Sequence, residues 1–260
     1  MTATPLRSVL ATGVACVATL LLALPGPASA DNGGSWFGSK ATQGSGNVVA
    51  QRRALSDFQA IKVSGSMQLR IRQAASEAVE VRVDDNLQPL LETVIESTSE
   101  GRTLHVRWKR GENVRLRGEP LVSIDVVKLS AVSSQGSGDV TIDTLVTPSL
   151  SLALAGSGDA HLKAVTADEL SIRVAGSGDV RGDGKAQRLK IAIAGSGDVQ
   201  LMGMKADSVS ISIAGSGDAA VHADKALSVS IAGSGDVSYS GATTSVTSKV
   251  AGSGSIQRRP

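Results

Sequence analysis

The sequence predicts an all-β fold: a right-handed parallel β-helix of about seven coils, preceded by an irregular β region that caps its N-terminal end. Three observations carry this. Gly-Ser-Gly recurs seven times, beginning at Gly136, Gly156, Gly176, Gly195, Gly215, Gly233 and Gly252, in steps of 20, 20, 19, 20, 18 and 19 residues. A run of alternating apolar residues precedes each of the last six motifs, and its first apolar residue always stands six positions before the first glycine. Only the stretch that follows each motif changes length. Self-similarity at a fixed period is the mark of a repeat architecture, in which each unit buries its apolar face only by stacking on its neighbours.

The first thirty residues stand apart from the fold. Arg7 is the one charge before Asp31, an apolar run follows from Val9 to Leu24, and Ala28-Ser29-Ala30 ends the segment. A basic start, a short apolar stretch and a small-residue exit make residues 1–30 a secretory signal peptide with cleavage near Ala30. The run is too short for a membrane span, which needs about 20 residues. Cys16, the only cysteine, leaves with this segment, so the mature chain has no disulfide and no thiol chemistry. No further apolar stretch is long enough for a span, and a soluble exported protein, periplasmic or extracellular, is expected.

Composition narrows the function classes. Removing Arg7 from 26 basic residues leaves 25 against 24 acidic ones, a balance that argues against nucleic acid. Aromatic residues are scarce: Trp36, Phe37, Phe58, Trp108 and Tyr239. Small and β-branched residues dominate instead, as suits a flat repetitive sheet.

Residues 31–50 read as a flexible Gly/Ser-rich tether. Residues 51–128 read as β-rich, with Ile61, Val63, Met67, Leu69 and Ile71 on one face and Gln68, Arg70 and Arg72 on the other. Val79, Val81 and Val83, then Leu104, Val106 and Trp108, repeat that period of two, the sign of half-buried strands. Lys109 to Asn113 form a turn. Arg107, Lys109, Arg110, Arg115 and Arg117 face one acid, Glu112, and read as a solvated hairpin face that protects a sheet edge rather than as a ligand patch.

Residues 129–257 are the repeats, and 258–260 a charged, proline-terminated tail that reads as a stop. The apolar triplets run from Leu150-Leu152-Leu154 to the weaker Val246-Ser248-Val250. They should form interior columns, with coils about 4.8 Å apart. The length-variable stretch should loop outward. A right-handed path is the expectation for parallel crossovers. The outward positions Ala153, Ser171, Ala192, Ser210, Ser212, Ser228 and Ser230 should make a flat face of small residues.

The corner itself needs glycine for positive φ, while Ser and Asp bond nearby backbone groups. Stacking would align Asp139, Asp159, Asp179, Asp198, Asp218 and Asp236 in a ladder. Carboxylates so close repel by roughly 1 kcal/mol even in water. Backbone N–H groups or the hydroxyls of Ser137, Ser157, Ser177, Ser196, Ser216 and Ser234 would relieve this; a Ca²⁺ ladder, built on oxygen ligands, is the speculative alternative. Six copies of one carboxylate in one turn signal architecture rather than catalysis, because a catalytic pair needs two unlike environments. His105, His161 and His222 have no matching constellation and read as surface residues.

Several stretches together resemble a bacterial family, the "putative auto-transporter adhesin, head GIN domain". The resemblance rests on Gly44-Ser45-Gly46-Asn47-Val48-Val49, on Leu55-Ser56-Asp57-Phe58 through Ser64-Gly65-Ser66, on Val83-Asp84-Asp85-Asn86-Leu87, and on the serial Gly-Ser-Gly-Asp coils. Ala74 after Gln73, Ser66-Met67 in the first turn and Ser255 in the last depart from it. The resemblance implies a β-helical, export-associated domain, and no catalytic residues carry over. The functional expectation is a non-enzymatic surface-interaction or adhesion module, meeting an envelope or extracellular protein or a glycan surface. A polysaccharide-acting β-helix enzyme and a self-assembling envelope subunit are the alternatives.

Overall fold

A computed structural model describes residues 41–259, to which all structural statements below refer; the leader and the first half of the expected tether, residues 31–40, lie outside them. Nine strands precede the repeats: β1 (Thr42–Gln43), β2 (Val48–Arg53), β3 (Ala60–Ser64), β4 (Gln68–Gln73), β5 (Ala78–Asp84), β6 (Leu91–Thr98), β7 (Gly101–Trp108), β8 (Val114–Arg115) and β9 (Leu121–Val126). Then follow β10 (Ala131–Gly136), the long strands β11 (Val140–Gly156), β12 (Ala160–Gly176), β13 (Val180–Gly195), β14 (Val199–Gly215) and β15 (Ala219–Gly233), and the closing β16 (Val237–Ser240), β17 (Ser245–Gly252) and β18 (Ile256–Arg258).

The repeats stack in parallel and in register. Gly136 pairs with Gly156, and the column continues through Gly176, Gly195, Gly215 and Gly233 to Gly252. Seven corners thus bound six complete turns of a parallel β-solenoid. Leu150, Leu170, Leu189, Val209 and Leu227 form one buried column; Leu152, Ile172, Ile191, Ile211 and Val229 form a second. Leu154, Val174, Ile193, Ile213 and Ile231 form the third, so the interior is a run of aliphatic ladders. Removing this apolar surface from water, at about 25 cal/mol per Å², is the main stabilising term.

Two glycine columns explain why the corner never varies. The first glycine of each motif has φ between +135° (Gly156) and +142° (Gly233), and a Cβ on Gly176 would lie 2.1 Å from the Gly156 carbonyl oxygen. The second glycine has no unusual φ, yet a Cβ on Gly178 would lie 2.1 Å from the Gly158 oxygen. Close approach of stacked backbones, rather than the turn alone, requires it.

The length-variable stretch departs from its expected form. It does not loop outward; β11 to β15 run through it as continuous strand of 15 to 17 residues. Register shifts between Leu162 and Val165, Arg181 and Asp183, and Leu201 and Lys205 absorb the extra residues. A bulge takes up one residue without leaving the ladder, which keeps backbone groups paired where a loop would release them.

Stacking order and chain order part company at the N-terminal end. β3 and β4 form one rung, paired in parallel with β10 and β11 above. Below them lie β7 and β9, which come later in the chain. After Val126 the chain therefore crosses the β3–β4 rung to reach β10. The Gln73 side chain ties this crossing down, donating to the Val127 and Val146 carbonyls and accepting from the Val146 N–H. Antiparallel strands then close this end: β6 on β7, and β5 with β2 on β9.

The described part of the expected tether, residues 41–50, contains strand. From Thr42 the chain is ordered, with β1 on β8 and β2 on β5. Gly44 to Asn47 dock on the Asp84–Asn86 turn: Ser45 Oγ and Asn47 Nδ2 donate to the Asp85 carboxylate, and Ser45 N–H donates to Asn86 Oδ1 at 2.9 Å. Local composition misled here because these bonds are made to residues some forty positions away.

Candidate functional site

The aspartates stack as a ladder, and a backbone N–H of the next coil meets each carboxylate. Asp159 N–H donates to Asp139 Oδ1 at 3.0 Å, and the bond recurs from Asp179 to Asp159, Asp198 to Asp179, Asp218 to Asp198, and Asp236 to Asp218, at 2.7 to 3.0 Å. Ser255 ends the ladder, giving both its N–H and its hydroxyl to Asp236 Oδ1. In the other direction Val140 N–H donates to the Asp159 carbonyl at 2.8 Å, and each later coil copies it. Each carboxylate thus accepts a charge-assisted bond from the coil above. Of the two donors the sequence offered, the amides take this role; the serine hydroxyls of the corners stand exposed. One carboxylate oxygen per coil is therefore already engaged. Among the described residues no three His, Cys, Asp or Glu side chains converge as a metal site.

The ladder borders a larger feature. Eleven strands form one continuous sheet face in the order β2, β5, β9, β4, β11, β12, β13, β14, β15, β16, β18. At about 4.8 Å per step its length is on the order of 50 Å. Three depressions lie along it. One of about 440 Å³ is lined by Arg52, Arg70, Arg72, Glu80 and Asp125; one of about 310 Å³ by Asp139, Asp159, Asp179, His161 and Arg181; and one of about 510 Å³ by Asp198, Asp218, Asp236, Gln200, Gln257 and Arg259. In register, Arg70, Thr141, His161, Arg181, Gln200, Ala220, Ser238 and Gln257 form its floor.

The far wall of this trough near its N-terminal end is an alternating charge row. Asp125 accepts two bonds from Arg72, and Asp143 pairs with both Arg70 at 3.3 Å and Lys163 at 2.6 Å. The hydrogen bond from Lys163, with the charges of Lys163 and Arg70, holds the Asp143 carboxyl below its ordinary range.

Other residues singled out in the sequence fall elsewhere. The expected small-residue face exists, with Ser151, Ser171, Ser210 and Ser228 in one column, but Lys190 and Arg173 interrupt it. The basic hairpin is partly neutralised from outside its own segment: Arg107 bonds Glu92 and Glu96, each at 2.8 Å, and Arg102 pairs with Asp57. Lys109 and Arg110 stand exposed at its tip. His161 lies on the trough floor. His105 is not a surface residue: it is buried, 3.5 Å from Glu96, because Lys62 and Val94 flank it across β3 and β6. His222 is half-buried between Ser240 and Asp224.

Fold and surface together define a class: a non-globular β-solenoid with one long polar face and an apolar interior. The family profile described as "Putative auto-transporter adhesin, head GIN domain" matches residues 57–243, and the chain belongs to that family. Family membership points to export, and no helix among the described residues is long and apolar enough to cross a membrane.

Solved structures share the fold. A "putative adhesin" from Bacteroides fragilis is 23% identical with a TM-score of 0.80, over 84% of this chain and 100% of that one. A "putative lipid binding protein" from Parabacteroides distasonis is 25% identical with a TM-score of 0.70, over 85% and 100%. A "putative adhesin" from Parabacteroides merdae is 23% identical with a TM-score of 0.66, over 85% and 99%. No curated protein matches the chain.

Proposed function

We propose that the protein is a non-enzymatic surface-interaction module, adhesin-like, acting outside the cytoplasm, whose polar trough holds an extended glycan of the envelope or extracellular surface. One observation carries this reading: three depressions line up on a single sheet face, beside a ladder of like carboxylates. A hydroxyl-rich polymer needs donors and acceptors repeated along its length. The trough supplies donors from His161, Arg181, Gln200 and Gln257 and acceptors from the aspartate row at a repeat of about 4.8 Å. Each contact is weak, and repetition along one rigid face adds them without further ordering of the protein. The carboxylates share one turn and one backbone donor, with Arg181 beside Asp179 and the Ser255 hydroxyl on Asp236 as the local differences, and this repetition supports a binding row over an acid–base pair of unlike environments.

The test is a glycan array probed with purified protein and with the double variant Arg181→Ala, Gln200→Ala. Binding of a defined glycan class, lost in the variant while its circular dichroism is unchanged, supports the reading. Binding that survives the variant moves the site off this face. Depolymerisation of an acidic polysaccharide, lost on replacing one aspartate but not its neighbours, would overturn the non-enzymatic assignment.

A further inference from the structure

We infer that the last coil is a self-association surface, and that its partner is a second copy of this chain docked about a two-fold axis at Ser248. The two ends of the stack differ. At the N-terminal end the last strands, β6 and β2, run antiparallel to their neighbours and break the repeat pattern. Among the described residues nothing covers the outer edges of β17 and β18; each pairs only inward, with β15 and β16. The C-terminal tail is the final rung rather than a lid, held by Arg259 N–H on the Tyr239 carbonyl and Arg258 on the Gly241 carbonyl. Among the described residues the aliphatic columns thus end uncovered, with Val246 39% and Val250 41% exposed where their counterparts Leu227 and Ile231 are 1% exposed.

The identity of the partner follows from the pattern of this edge. Ser253 N–H donates inward to Gly233, so the alternating polar groups of Val246, Ser248 and Val250 point away from the stack. An antiparallel copy centred on Ser248 places Val246 opposite Val250 of the second copy, Ser248 opposite Ser248, and Val250 opposite Val246. All three pairs are then of the hydrogen-bonded type, and all three side chains stay on the core face. Lys249 falls opposite Thr247, so no like charges meet. A shift of the centre to Val246 or Val250 loses the reciprocal valine pairs. At the other end the open edges belong to β6 and β2, which carry Glu92, Glu96 and Arg52 instead of the valine–serine–valine pattern and do not match it, whereas a two-fold pair uses the one edge twice and closes on itself.

The experiment is sedimentation equilibrium on the purified protein, with two variants. The wild type is expected to be a dimer. Ser248→Pro deletes an N–H that faces solvent in the monomer, a position where an edge strand tolerates proline. It should weaken the dimer about tenfold to a hundredfold, at roughly 1 kcal/mol per lost bond. Ser248→Cys should yield a disulfide-linked dimer on oxidation, because hydrogen-bonded antiparallel pairs hold Cα atoms about 5.5 Å apart, within disulfide reach. Ser245→Cys, whose mate is not itself, should not. A wild type that stays monomeric at its highest soluble concentration overturns the proposal. So does a dimer that Ser248→Cys fails to crosslink. If Ser248→Pro unfolds, the crosslinking pair decides.

Discussion

From Ala131 to Gly252 every strand pairs in parallel with its own equivalent one turn away, whereas from Val48 to Val126 parallel rungs (β3 on β7, β4 on β9) mix with antiparallel pairs (β6 on β7, β2 and β9 on β5), and the chain then crosses a rung to enter the repeat. Both regions bury aliphatic ladders of Val, Ile and Leu. They differ in how backbone approaches backbone. In the repeat each corner rests on the one below, so a side chain at a corner glycine strikes a neighbouring coil. In the cap the nearest obstacles are side chains or none: a Cβ on Gly44, Gly65 or Gly101 would meet the side chain of Asp84, Trp108 or Gln59, and one on Gly111 would meet nothing within 4 Å. A corner glycine of the repeat therefore faces backbone of the next coil, whereas a glycine of the cap faces open space or a side chain that can turn aside.

Paired glycine substitutions break or sharpen that comparison most strongly. Gly176 has φ +136° and lies against the Gly156 oxygen; Gly111 has φ +82° with nothing within 4 Å of its missing Cβ. Gly176→Val should cost about 3 kcal/mol or more, since it combines backbone strain with a clash that both coils must relieve. Gly111→Ala should cost about 1 kcal/mol, from φ alone. Thermal melts should then show a fall of roughly 6–12 °C for the first and a few degrees for the second. Equal effects would mean that the stacked corners yield easily.

A smaller effect is expected at the aspartates. Asp198 accepts the Asp218 N–H at 2.9 Å within the stack, so Asp198→Ala should cost about 1 kcal/mol. Asp198→Asn keeps an acceptor and should cost less. If the ladder is held by amides, adding Ca²⁺ or chelator should leave both melting temperatures unchanged. A Ca²⁺-dependent rise in the wild type, absent from Asp198→Ala, would restore the cation ladder.

How much of this was legible depended on whether a contact leaves a mark in the sequence. The interior columns do: Leu170, Leu189 and Val209 stand at a fixed distance from a glycine, so register follows from counting. The ladder of Asp139 to Asp236 was also legible as a column. Its donors were not, because a backbone N–H carries no residue identity. The bulges near Leu162 and Leu201 were hidden for a related reason, since an extra residue in a strand and one in a loop look alike. The docking of Ser45 and Asn47 on Asp85, and the placement of β7 beneath β3, join segments without periodicity. The trough needed the register of both regions at once, with Arg70 of the cap continuing the row of Thr141 and His161.

Acid and salt titrations sharpen the contrast at its smallest scale. Asp143, at the base of the repeat, is held low by the Lys163 hydrogen bond and by the charges of Lys163 and Arg70. Asp85, in the cap, is held low chiefly by the Ser45 hydroxyl, then by Asn47 and the Asn86 N–H. Both folded values lie below the ordinary carboxylate value, so each group contributes stability above that value and loses it as pH falls through its lowered one. The melting-temperature gap between wild type and either Asp→Asn variant should be constant near neutrality and shrink as pH drops below about 4. The partners of Asp143 are substantially exposed, which limits its contribution to a few tenths of a kcal/mol up to about 1. Salt then separates the two sites. Screening weakens pairs of full charges far more than bonds from neutral hydroxyls and amides. Raising the ionic strength at neutral pH should narrow the Asp143→Asn gap and leave the Asp85→Asn gap nearly unchanged. If both narrow together, the cap leans on charge as much as the repeat does, and the contrast between the two regions is confined to their backbones.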